Sequence, residues 1–297
     1  MKNSIKREQS QACLNFAERK NFRLQAKHKI LMTLALLITA VGGAWAQGPW
    51  TSSDCTVTLN NGTLTVSGNG AMADYSDPSD RPWDGNSGDI TSVVVESGVT
   101  SVGFNAFESI SNLTSVTLPE GLTSIGSSAF YDCRSLQSIT IPSTVTSIGD
   151  GAFWNCSAMT SVTLPEGLTV IGTYAFTSCS SLTSITIPST VTSIGDYAFM
   201  LSSVISDVNL YANPDNLTWG DASYDFKSGK ATQCHVLAEH LSTYQNNFSS
   251  ANVTFVGDLK PLATSAVEVT TNKAENDTVF TEAWFNMPAF DATAEYE

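Results

Sequence analysis

Charge is scarce in this chain, and positive charge is scarcer still. Only 14% of its 297 residues are charged, against roughly a quarter in ordinary soluble domains. The first 29 positions hold eight Lys/Arg and two acidic residues. Setting those aside from totals of 14 and 28 leaves six basic and 26 acidic residues, a charge of about −20. Such a surface repels phosphate backbones and anionic headgroups, which argues against nucleic acid and membrane insertion. Histidine is almost missing too: only His235 and His240 follow residue 28. No G-x-S-x-G elbow, P-loop or H-E-x-x-H motif occurs, so the sequence offers no catalytic residues and no cofactor. After residue 46 no apolar run is long enough to span a bilayer.

What the N-terminus does contain explains the charge asymmetry. A basic segment ends at Lys27-His28-Lys29, an apolar stretch runs from Ile30 to Val41, and Ala44-Trp45-Ala46 comes next. Basic region, short apolar core and A-x-A make a cleavable secretory signal. The expected leader is 1–46, cleaved after Ala46.

The body of the chain is repetitive. Leu113, Leu136, Met159 and Leu182 open near-identical segments spaced 23 residues apart, with a divergent copy from Ile90 and a degenerate one from Ile205. The copies alternate. Pro119-Glu120-Gly121 matches Pro165-Glu166-Gly167, and Pro142-Ser143-Thr144 matches Pro188-Ser189-Thr190. Segments 113–158 and 159–204 agree at about 33 of 46 positions, which marks a duplicated two-repeat block. Within one repeat, Val116 and Leu118 flank Thr117 with period two, a short strand with one buried face. Pro119 ends that strand. Leu122 and Ile125 bury a second edge, Gly126 permits a sharp turn, Ala129-Phe130 suits one helical turn, and Cys133 closes the coil. One coil cannot bury its own apolar side, so five coils are expected to stack at roughly 4.8 Å into a parallel sheet over a continuous core.

The predicted fold is therefore a repeat solenoid, a right-handed coil of short parallel strands and helical or 3-10 turns, capped at both ends. The domain reading is leader 1–46, N-terminal β cap 47–89, repeats 90–204, C-terminal cap 205–259, and linker with a β module 260–297. The N-terminal cap holds a hairpin around Asn60-Asn61-Gly62. The C-terminal cap has a strand at Val208–Leu210, a helix-like stretch near Val236–Tyr244 and a strand at Val253–Val256.

The repeat Leu-x-x-Ile-x-Ile-Pro-x-x-Val-x-x-Ile-Gly-x-x-Ala-Phe-x-x-Cys resembles the leucine-rich repeats of BspA-like bacterial surface proteins. Gly68–Tyr75 with Pro82-Trp83 resembles that family's N-terminal cap, and Phe285–Tyr296 resembles the end of an internalin-type B repeat. The first resemblance implies a secreted or cell-surface bacterial module for adhesion or protein interaction, non-catalytic, with no cofactor. An alternative is a docking or spacer arm of a larger surface protein or enzyme. Two departures stand out. Glu96 and Ile110 replace the proline and cysteine of the first repeat, and Ser202 replaces the cysteine of the fifth.

Several constellations have plain readings. Cys133, Cys156 and Cys179 share one repeat position and are expected to be buried free thiols, since three stacked residues cannot all pair. Cys55 and Cys234 fall in opposite caps, so no disulfide is expected. Cys234, His235 and His240 lack the four-ligand spacing of a zinc site. Asp74, Asp77, Asp80 and Asp84 read as a solvated acidic loop without the calcium-loop pattern. Gly68-Asn69-Gly70 reads as a turn, because Asp77-Pro78 stands where a phosphate-binding helix would start.

Two surfaces remain as candidate binding sites for an extracellular protein or glycan, from host matrix or another cell. One is the outward face of the strands, with Thr117, Thr140, Thr163 and Thr186 flanked by Ser115, Ser138, Ser161 and Ser184. Their hydroxyls donate and accept without charge, though threonine also suits a strand by propensity alone. The other is the turn side, where Phe104, Tyr131, Trp154, Tyr174 and Tyr197 fall at or beside equivalent positions. Aromatic rings are favoured interface anchors, and they also serve to cover the core.

Overall fold

The computed structural model describes residues 47–202, 204–221, 225–226, 232–249 and 253–262. The leader with its cleavage point, Cys13 and the internalin-like stretch 285–296 lie outside the described residues. The chain divides into two units, Met1–Pro261 and Leu262–Glu297, and every strand and helix named here belongs to the first.

Four strands lead in: β1 (Gln47–Ser52), β2 (Cys55–Asn60), β3 (Thr63–Gly68) and β4 (Gly70–Ala71). β1, β2 and β3 form an antiparallel meander. Asn61 and Gly62 both take positive φ, 49° and 78°, the geometry that a two-residue hairpin turn demands. Each coil then supplies two strands. The odd set is β5 (Ser92–Val95), β7 (Ser115–Thr117), β9 (Ser138–Thr140), β11 (Ser161–Thr163), β13 (Ser184–Ile187) and β15 (Asp207–Leu210). The even set is β6 (Val99–Val102), β8 (Ser124–Ile125), β10 (Ser147–Ile148), β12 (Val170–Ile171), β14 (Ser193–Ile194) and β16 (Thr218–Trp219). β17 (Thr232–Leu237), helix α1 (Leu241–Asn247) and β18 (Val253–Leu259) complete the unit. The result is a parallel β-solenoid of about seven turns.

The solenoid holds more sheet than the sequence predicts. The even strands, expected only as a buried edge, form their own ladder from β4 to β16. The reason is spacing: once the odd strands stack, Thr123 and Gly126 meet the carbonyls of Thr100 and Val102 at 2.8 and 2.9 Å. The predicted turn at Ala129-Phe130 is made of single i→i+3 closures and not of a regular helix: Ala129 donates to Gly126 at 3.3 Å and Tyr131 to Ser128 at 3.1 Å. Between them the Phe130 amide donates 2.8 Å to Ala152 of the next coil, so a helix cannot continue through it. Ser128 and Asp132 take positive φ there, 52° and 61°. Gly126 also has a different reason from the turn expected of it. A Cβ at this position would lie 2.8 Å from the Gly103 carbonyl carbon of the preceding coil, so the residue is required by close approach.

The core is a spine of rings. Phe107, Phe130, Phe153, Phe176 and Phe199 stack with centroids 5.3–5.7 Å apart, and all are fully buried. Cys133, Cys156 and Cys179 lie beside them, each thiol donating to the Phe carbonyl of the preceding coil at 3.1–3.3 Å. Ser202 keeps that bond, 2.7 Å to the Phe176 oxygen, and Ile110 fills its place completely buried. The two departures therefore leave the packing regular. All five described cysteines are free. Burial pushes the Cys133 and Cys179 thiols up to about 12, and alkylation needs the thiolate. Native protein treated with iodoacetamide should leave Cys133, Cys156 and Cys179 unlabelled and label all of them in guanidinium. Rapid native labelling of all three would refute the coil packing.

Both ends of the spine are closed by side chains. At the start, Trp83 is fully buried between Trp50, Tyr75 and Phe107. The Arg81 guanidinium, 3% exposed, donates to the carbonyls of Pro78, Glu108 and Asn105 and to Asp84. The loop read as solvated acid is thus partly committed: Asp84 pairs with Arg81, Asp77 accepts from Ser79 and Asp74 accepts the Phe104 amide at 2.7 Å. At the far end β15, β17 and β18 extend the parallel sheet. The helix-like stretch expected near Val236–Tyr244 is present but starts two residues later: burial alternates along Thr232–Leu237, which is strand, and a 3-10 turn at Ala238–His240 leads into α1. Tyr244 anchors α1 through its hydroxyl, 2.6 Å from the Ala212 carbonyl.

Candidate functional site

The odd strands place every predicted hydroxyl on one outward face. Ser115, Thr117, Ser138, Thr140, Ser161, Thr163, Ser184 and Thr186 are all exposed, while Ile139 and Ile185 between them are buried. Register makes the two rows continuous where strands pair: Ser138 lies opposite Ser161, and Thr140 opposite Thr163. The rows run on into residues that the repeat pattern does not single out. Ser184 lies opposite Asp207, and Thr186 opposite Asn209. His235 continues the second row beside Asn209. Its Nδ1 lies 2.7 Å from Asp258 and its Nε2 3.9 Å from Asp207. The neighbouring Cys234 is fully buried in the core, so adjacent residues of β17 put the thiol and the imidazole on opposite faces.

The two kinds of coil differ on this face. Among the described residues a ladder joins β9 to β11, but none joins β7 to β9 or β11 to β13. The paired junction β9/β11 runs from a Pro-Ser-Thr coil to a Pro-Glu-Gly coil, whereas both gaps fall where a Pro-Glu-Gly coil is followed by a Pro-Ser-Thr coil. Side chains clasp the corner of the same junction. Glu120 accepts from the Ser143 hydroxyl at 2.8 Å, and Thr144 accepts the Gly121 amide at 2.9 Å. Glu166 and Ser189, with Gly167 and Thr190, repeat the clasp at 2.9 Å. Val116 and Val162, beside the gaps, are half-buried where Ile139 and Ile185 are buried. Between β7 and β9 lies an open groove of about 340 Å³, lined by the hydroxyl side chains of Ser115, Thr117, Ser138 and Thr140 together with aliphatic side chains that include Val116 and Leu118. The alternation of repeats was the only sequence signal for it.

The turn-side aromatics also come together. Trp154 stacks on Tyr174 at 5.0 Å and Tyr174 on Tyr197 at 5.2 Å, while Tyr131 meets Trp154 edge-on at 5.5 Å. The Tyr197 hydroxyl bonds to Asp221 at 3.1 Å. Phe104 is 36% exposed and forms no part of this ladder of rings. Tyr174 and Tyr197 hold φ near +57°, which costs roughly 1–2 kcal/mol per residue. Stacked pairs return about 0.5–1.5 kcal/mol each. Their ring faces are spent on one another, leaving mainly edges to a partner.

Among curated proteins none matches this chain. Solved structures that resemble it include a leucine-rich repeat protein from Eubacterium ventriosum, 23% identical over 72% of this chain and 68% of that one, with a TM-score of 0.43. A Treponema pallidum leucine-rich repeat protein is 19% identical over 71% and 99%, with a TM-score of 0.43. A leucine-rich cell surface protein from Faecalibacterium prausnitzii is 28% identical over 59% and 58%, with a TM-score of 0.38. The model of the BspA-type leucine-rich repeat region matches residues 85–206 in six copies. The phenylalanine spine and the cysteine ladder both lie within this matched stretch, which is thus similar in sequence to the BspA-type leucine-rich repeat and is built as repeats of that type.

Proposed function

We propose that this chain is an exported, non-catalytic interaction module of a bacterial surface, and that it binds an extracellular partner through the outward face of β7 to β13. The observation that supports this is the pair of exposed hydroxyl rows, uncharged along four successive coils. A face of this kind recognises by geometry and hydrogen bonding, because it has no charge with which to steer. Solenoids use such regular faces as extended binding surfaces. The turn-side ladder is the weaker candidate because its rings are occupied by stacking.

The test pairs two double variants against an immobilised matrix extract and a glycan array. Thr140→Lys with Thr163→Lys should weaken capture more than tenfold and leave the unfolding midpoint unchanged. Trp154→Ser with Tyr174→Ser should leave capture nearly intact. The reverse pattern would move the site to the turns. Loss only on deleting residues 260–297 would make the solenoid a spacer that carries the binding segment 260–297.

A further inference from the structure

We infer that the β7–β9 groove is a subsite for an uncharged, β-linked glycan lying along the solenoid axis. This inference rests on the sheet-face reading above and names its ligand class. Four features of the groove carry it.

The first is chemical character. Hydroxyls of Ser115, Thr117, Ser138 and Thr140 line the groove beside aliphatic groups that include Val116 and Leu118. A pyranose ring combines the same two kinds of group, with hydroxyls at its rim and C–H groups on its faces. The second is charge. The only carboxylate at the groove, Glu120, already accepts the Ser143 hydroxyl and amide at 2.8 and 3.3 Å. A sulfated or uronic glycan would meet that carboxylate and a net charge of about −20, with no Lys, Arg or His among the residues lining the groove. The third is size: about 340 Å³ sits at the small end of ligand clefts, roughly 300–1,000 Å³, and suits single rings of a longer chain.

The fourth is period. The ladder break at β7/β9 recurs at β11/β13, two coils on, or about 9.6 Å at the usual strand spacing. Adjacent sugars in an extended β-linked chain advance by about one coil and alternate in facing, so equivalent faces return every second sugar. A peptide strand repeats its side chains about every 6.8 Å and falls out of phase. A polyproline II peptide repeats about every 9.3 Å, but such peptides dock on aromatic-lined grooves. This groove has no aromatic residue in its lining.

The experiment uses the chain from Gln47 to Glu297 in isothermal titration with cellohexaose, cellobiose, maltohexaose, heparin and a Pro-Pro-Gly repeat peptide. Cellohexaose should bind saturably and more than tenfold tighter than cellobiose, which is too short to reach both breaks. Ser138→Tyr, which fills the groove, should weaken it more than tenfold with an unchanged circular dichroism spectrum and unfolding midpoint. Binding of cellohexaose that ignores Ser138→Tyr overturns the subsite. Equal binding of maltohexaose, or binding of heparin or the peptide alone, overturns the ligand class. If no glycan binds while the two Lys substitutions still abolish capture from matrix extract, this inference fails and the sheet-face reading stands. If both tests fail, the sheet-face reading fails as well.

Discussion

Phe153→Ala should cost about 3–5 kcal/mol, the range for deleting a large buried ring. Phe153 is fully buried and stacked on both sides, 5.4 Å from Phe130 and 5.3 Å from Phe176. Truncation leaves a hole in the middle of the spine. The coil cannot collapse into it, because its backbone is bonded to both neighbours: Phe153 donates to Ala175, and Phe130 donates to Ala152, each at 2.8 Å. In a solenoid each coil draws stability from the two interfaces it makes, so a central lesion weakens both halves at once. Urea unfolding followed by circular dichroism measures the loss. A loss below about 1 kcal/mol would mean that the ring is not packed as described.

Acidification from pH 7 to pH 5 should stabilise the wild-type chain relative to Asp225→Asn by about 1 kcal/mol, growing toward about 3 kcal/mol below pH 4. Asp225 closes the far end of the spine. In earlier coils the Phe amide donates to an Ala carbonyl of the next coil. Phe199 instead donates to the Asp225 side chain at 2.8 Å, and Trp219 Nε1 donates to its other oxygen at 3.0 Å. Burial outweighs these two donors and, with smaller help from Asp221 and Asp196, pushes this carboxyl up to about 6 from its ordinary 3.8. A carboxyl raised on folding binds more protons in the folded state. Its stabilising effect is full below about pH 4 and is lost as pH rises through 6. The other carboxylates also titrate on the way down, so the informative quantity is the difference between wild type and Asp225→Asn. Melting temperatures at pH 5, 6 and 7 give it. A difference that does not change with pH would show that the Asp225 charge plays no part in closing the spine.

How legible was this molecule from its residues? The hairpin at Asn60-Asn61-Gly62 was, because a two-residue turn is a local problem solved by residues that accept positive φ. The outward rows were also legible, since a period of two assigns Ser115 and Thr117 to one face and Val116 to the other whatever lies alongside. The end closures were less so. Asp74 read as solvent-exposed because its partner, the Phe104 amide, becomes a neighbour only after the coils stack. Asp84 lies three residues from its partner Arg81, but the guanidinium is held in place by the Asn105 and Glu108 carbonyls of the next coil. Asp225 gave no signal at all, being one acid in a stretch without repeat. The helix was placed too early because Val236 and Tyr244 suit either structure, and the parallel partner that draws Thr232–Leu237 into the sheet lies more than twenty residues away in the chain at Asp207–Leu210.

Sequence alone determined the 23-residue coil, the residues inside it and the uncharged outward face, because each of these is set by periodicity within a single repeat. Tertiary structure alone decided how coil meets coil. The second ladder of even strands, the rings stacked on the turn side, the carboxylate standing in for a carbonyl and the groove between β7 and β9 all depend on that meeting. The physical reason is that side-chain direction is a property of the local backbone, whereas these features are made of groups one coil apart, whose distances are set by the packing of the whole stack.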